Sequence, residues 1–114
     1  MTNKVYSFLG LATKAGKVVS GDETCERAIK SGKVFLTLIA RDASENTKKK
    51  FSDICSYRKV ELRFFGEKEM LGRYTGKEIR SVICILEQGF AKRLMEMLDE
   101  CESGGVRIVE SQNI

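Results

Sequence analysis

Two short stretches of the chain are apolar on both of their faces. Residues 34–40 read VFLTLIA and residues 81–86 read SVICIL. A surface strand alternates apolar and polar residues, so a continuous run asks to be covered from both sides, the pattern typical of parallel sheets. Neither run approaches the ~20 apolar residues of a membrane-spanning helix. The chain must therefore supply helices to both faces of a small sheet.

It has them. Val5, Phe8, Leu9 and Ala12 fall at i, i+3, i+4 and i+7, one apolar face of a helix that Gly16 can stop. Lys17-Val18-Val19 is long enough for a short strand. Ser20 and Glu23 then fit a capping box, with Cys25, Ala28 and Ile29 as the buried stripe behind them and Gly32 as the end. Ser44 is a good N-cap for a third helix, with Phe51, Ile54 and Cys55 inward and Lys48–Lys50 on a solvated outer face. Val60–Phe65 reads as a strand. Glu67–Arg73 reads as a short helix closed by Gly72 or Gly76. Gly89 breaks the chain before a last helix built on Phe90, Leu94, Met97 and Leu98. The tail after residue 100 either adds an edge strand or hangs free. Helices and strands alternate, which predicts an α/β/α sandwich on a mostly parallel or mixed sheet. The chain has 114 residues, so one domain over residues 1–100 and a tail over residues 101–114 is expected.

Composition narrows the chemistry. The sequence has no histidine, which removes the commonest general base and metal ligand together with Ser-His and Cys-His pairs. Cys25, Cys55, Cys84 and Cys101 show no C-x-x-C spacing; they read as small core side chains, with Cys101 the most exposed, rather than as two disulfides. The ten glycines form neither G-x-G-x-x-G nor G-x-x-x-x-G-K-[ST]. No enzyme, metal or cofactor is expected. The N-terminus reads without a secretory signal, so a cytoplasmic protein is expected.

Charge suits an anionic partner, but by itself it fits the ordinary solvation of surface helices better. The net charge is +4, and residues 1–60 carry twelve Lys/Arg against six Asp/Glu. Asp22 and Glu23 suit the positive end of a helix dipole. Asp42 reads as the cap of the helix that follows it. Lys14 and Lys17 flank the first strand, Arg27 and Lys30 lie on the outer side of the second helix, and Arg73, Lys77 and Arg80 surround the TGKEIRS segment. If that segment sits beside the helix beginning at Gly21, the charges converge on one edge, where free backbone N–H groups add donors for phosphate.

The strings GDETCERAIKSG, VFLTLIARDAS and LGRYTGK resemble the kink-turn-binding ribosomal proteins of the L-seven-Ae and L-thirty-e type, most closely their bacterial YlxQ-like members. The resemblance covers residues 4–98. It rests on two glycines eleven apart around a helix, a buried strand ending in a short acidic loop, and a later L-G-x-x-x-G. It implies a three-layer α/β/α sandwich with a four-stranded mixed sheet. It also implies binding of a structured RNA, not DNA, by a monomer. In such proteins the helix after the first strand reads sheared G·A pairs with its N-terminus, and the loop before the last strand packs on bulged bases. Carried over, the contacts are Gly21, Asp22, Glu23, Thr24, Arg27, Lys30 and Lys17, and the loop Gly76, Lys77, Glu78, Ile79 and Arg80. The family's Gly-x-Asn-Glu-x-x-Lys here has Glu23 at the asparagine, Thr24 at the glutamate and Arg27 at the lysine. Glu23 and the acidic tail favour a rival reading, a protein–protein adaptor on the same fold that has lost kink-turn specificity.

Overall fold

A computed structural model describes residues 2–105 and the side chains of residues 3–101. Nine elements follow one another: α1 (Thr2–Lys14), β1 (Val18–Ser20), α2 (Asp22–Lys30), β2 (Leu36–Ile39), α3 (Glu45–Arg58), β3 (Leu62–Phe64), α4 (Lys68–Tyr74), β4 (Val82–Ile85) and α5 (Gln88–Gly105). The four strands form one sheet in the order β1-β4-β2-β3. β4 runs antiparallel to β1 and to β2, whereas β2 and β3 are parallel. The sheet is mixed, and α2 with α3 covers one face while α1, α4 and α5 cover the other. This is the three-layer sandwich expected.

The two apolar runs are the central strands. Every residue of β2 and of β4 is buried. Burying each such aliphatic side chain contributes about 1.5–3 kcal/mol. On one side Cys25 and Ile29 of α2 and Phe51 and Cys55 of α3 close over them; on the other, Val5, Leu9, Leu71 and Leu94 do. All four cysteines are free, three of them buried, and Cys101 is half-buried. Among the described residues no helix is long and apolar enough to cross a membrane.

Helix ends depart from the sequence pattern in five places. Ser44 does cap α3, accepting from Thr47 N at 3.1 Å. Ser20 caps nothing: the N-cap of α2 is Gly21, with no side-chain bond, because β1 runs one residue further and holds Ser20 in the sheet. Asp42 caps α4, not α3; its Oδ1 accepts from Lys68 N at 2.9 Å across 26 residues. Gly72 does not end α4 but lies buried inside it, and Gly76, at φ 77°, makes the turn. Gly89 lies in the first turn of α5, which Glu87 caps by accepting from Phe90 N at 2.7 Å. α5 runs to Gly105, past the expected domain end at residue 100. The expected edge strand of the tail falls at residues 106–114, outside the described residues.

Candidate nucleic-acid interface

The start of α2 is open. Gly21 adopts φ 96°, ψ 150°, a conformation that L side chains rarely adopt. Its N–H is spent on Val82 O at 3.1 Å and its carbonyl accepts from Cys25 N at 2.9 Å. The N–H groups of Asp22, Glu23 and Thr24 precede the first intrahelical acceptor and receive no side-chain cap. Ser20, the residue expected to cap them, has its hydroxyl turned to Arg80, whose Nε donates to it at 3.0 Å. The helix thus keeps donors at its positive end.

That bond also fixes the loop. Residues 76–80 lie beside the start of α2: a Cβ on Gly21 would stand 3.9 Å from Arg80 Nε. The loop is tied to α4 at both ends, by Lys77 N to Gly72 O at 2.8 Å and Arg80 N to Lys68 O at 3.0 Å. Gly72 makes the docking possible, since a Cβ there would overlap the carbonyl of Glu78 and come within 2.8 Å of Ile79 N. Buried Thr75 donates its hydroxyl to Leu71 O at 2.8 Å, holding the turn before the loop. Ile79 is left 57% exposed at the loop's edge, an apolar surface offered to solvent.

A cleft of about 450 Å³ separates the two parts. Thr24 of α2, Lys77 and Arg80 of the loop, and Ser20, Thr13 and Thr75 line it. A second cleft of about 440 Å³ continues along α2, where Thr24 and Arg27 border it together with Lys33. The lining holds cations and hydroxyls and no carboxylate. Asp22 and Glu23 remain exposed beside the helix start. Lys50 of α3 offsets part of their charge; Glu26 first, then Asp22 and Glu23, hold its ammonium protonated to higher pH.

Some cations away from the cleft are neutralised, though not all: among the described residues Lys14 and Arg73, with others, are also unpaired. Among the described residues Lys30, Lys48, Lys49, Lys50, Arg63 and Arg93 each pair with a carboxylate, while Arg27, Lys77 and Arg80 do not. A cation paired on the surface presents little net field; an unpaired one facing a cleft does.

Two expected members lie apart. Lys30 bonds Glu26 at 2.8 Å, and Glu26 also takes Lys50 at 2.9 Å, so Lys30 belongs to the seam between α2 and α3. Lys17 precedes β1 at the end remote from Gly21; its carbonyl accepts from Leu86 N at 2.8 Å, and its charge acts on Glu87. Sequence reasoning missed Ser20, Thr13 and Thr75 as lining; these hydroxyl residues gave no local signal, since they come from β1, α1 and the end of α4 and meet only in the fold.

Comparison with known proteins fits this arrangement. The sequence pattern of the ribosomal protein L7Ae/L30e/S12e/Gadd45 family matches residues 3–95. The chain belongs to that family. Within it, the RNA-binding protein YlxQ of Bacillus subtilis (strain 168) is 43% identical over 94 residues, 82% of this chain and 94% of that protein. A Bacillus halodurans protein described as of unknown function superposes with a TM-score of 0.81 at 36% identity, over 84% of this chain and 97% of its own. The Giardia lamblia 15.5kD RNA binding protein superposes with a TM-score of 0.70 at 20% identity, over 86% and 84%, a likeness of fold.

Proposed function

We propose that this protein is a non-catalytic RNA-binding module that recognises a kinked, internally bulged RNA with the N-terminus of α2 and the loop 76–80. The observation that carries the reading is the uncapped start of α2 facing unpaired Lys77 and Arg80 across one cleft. Backbone donors and cations together suit phosphate and guanine edges. Arg27, one turn along α2, adds a planar fork. Exposed Ile79 supplies an apolar contact for an unstacked base. Family membership and the name of the Bacillus subtilis relative support RNA as the ligand class. The mechanism is selection: the protein binds the bent RNA better than the straight one and shifts its population.

The exposed pair Asp22 and Glu23 favours the rival adaptor reading. One titration decides. A kink-turn RNA is compared at fixed salt with the same RNA whose sheared G·A pairs are replaced by Watson–Crick pairs. Clear preference for the first is expected. Equal, salt-sensitive binding to both removes kink recognition, and no binding to either moves the adaptor forward.

A further inference from the structure

The cleft at Arg80 does not stop at Thr13. Beyond it a groove of about 510 Å³ runs between the second half of α1 and the end of α4. Thr13 borders both, and Gly76 borders the groove while its neighbour Lys77 borders the cleft. Gly10 faces the end of α4, where a Cβ would make ordinary contact with the Tyr74 carbonyl at 3.4 Å. Leu11 lies in this groove with 58% of its surface exposed. Lys14 and Arg73 form its charged rim, and no carboxylate lines it. Among the described residues neither cation has a carboxylate partner; the Arg73 guanidinium meets only Met70 Sδ, at 3.7 Å.

An apolar side chain between two uncompensated cations matches one repeating chemistry, a flat base followed by a phosphate. We propose that this groove takes a single-stranded flank of the same RNA, with bases against Leu11 and phosphates on Lys14 and Arg73; it rests on the RNA-binding reading above. Continuity with the Arg80 cleft lets one strand pass from the structured site into the groove without leaving the protein. The turn at Gly76, φ 77° with open space around it, sets where the strand crosses. The flank is read without sequence preference, because stacking and phosphate pairing are common to every nucleotide.

The test uses the full chain and a kink-turn duplex, blunt or carrying a short oligouridine overhang of either polarity. One overhang should tighten binding roughly tenfold, from apolar burial of a base against Leu11 and phosphate pairing together. It should also steepen the salt dependence by about one to two phosphate contacts. The doubly substituted Lys14→Gln, Arg73→Gln protein should lose that gain, read as the ratio of its own affinities for the overhang and the blunt duplex. Leu11→Ser should lose most of the gain with the salt slope kept. The proposal falls if neither overhang helps, or if the gain survives in the double variant. It falls also if sedimentation shows self-association that Leu11→Ser abolishes, which assigns the groove to a second copy. If the blunt duplex does not bind at all, the kinked-RNA reading fails separately. Oligouridine alone then decides: salt-sensitive binding lost in the double variant upholds the groove, and no binding overturns it.

Discussion

Arg80 donates from Nε to the hydroxyl of Ser20 at 3.0 Å, joining residues sixty apart in sequence. One hydrogen bond does two things: it anchors the loop 76–80 against the end of β1, and it diverts the serine from capping α2. Ser20→Ala should cost the fold only the ~0.5–1.5 kcal/mol of a partly buried hydrogen bond, read by denaturant titration. Arg80→Ala should in addition weaken kink-turn RNA binding by about 1–3 kcal/mol. Arg80→Lys, which lacks the Nε–H and the planar fork, should not restore it. Equal RNA affinities for parent and Arg80→Ala would take Arg80 out of the interface.

Gly72 is the contact on which the loop's position rests. Gly72→Ala should destabilise the protein by about 1–3 kcal/mol through overlap with the Glu78 carbonyl. RNA affinity should fall as well, because the loop must move to make room. Gly32→Ala is the control: its φ of 77° is strained too, yet nothing lies within 4 Å, so stability falls and RNA binding does not.

Acid acts through Glu26. Lys30 and then Lys50, by hydrogen bonding its carboxylate, hold its pKa down at about 2 from an ordinary 4.5. A carboxyl whose pKa is lower folded than unfolded stabilises the fold above its unfolded pKa, and the contribution disappears as pH falls through the folded value. Parent and Glu26→Gln should therefore differ in denaturation midpoint at pH 5 and converge as pH approaches 2. A gap that stays constant across that range would show that the bridge between α2 and α3 contributes nothing through charge.

Thiol chemistry should be confined to the end of α5. Cys25 is held protonated by its neighbour Cys84 and by burial, and burial raises Cys55 as well; Cys84 is lowered by Cys25 but is fully buried and out of a reagent's reach. A disulfide reagent should titrate one thiol in the folded protein, Cys101, and the other three only after unfolding. Loss of the fast reaction in Cys101→Ser assigns it; a second fast thiol would show that the layer of α2 and α3 opens from the sheet on the reaction timescale.

The sequence told most about elements whose pattern is local. β2 and β4 declared themselves by double burial, and α1 and α2 by their apolar spacing. Orientation was not readable: double burial suggested parallel neighbours, yet β4 is antiparallel to both of its own. It is buried twice over because it is central, not because it is parallel. Caps misled wherever a short polar side chain had a distant alternative. Asp42 found Lys68, and Ser20 found Arg80. The resemblance of Gly21, Thr24 and Arg27 to the family's motif offered α2 as a candidate surface. Its meeting with Lys77 and Arg80 depends on the register of β1 on β4, Ser20 opposite Ile83, which no periodicity encodes. The surroundings of Lys30 were not readable, because helical spacing gives the exposed side but not the neighbour, and the neighbour is Lys50's helix.

Gly21 and the loop are both hung on the beginning of β4: Gly21 N binds Val82 O, and the loop runs directly into Ser81 and Val82. Strand β4 is held by hydrogen bonds on both sides. The gap between helix start and loop is therefore a fixed calliper whose jaws open only if the centre of the sheet does. A partner gripped by both jaws has to conform to that spacing, so the work of adjustment falls on the ligand. Association should accordingly be limited by how often the free partner already has the right width, and agents that pre-shape it should speed binding without changing how fast it leaves.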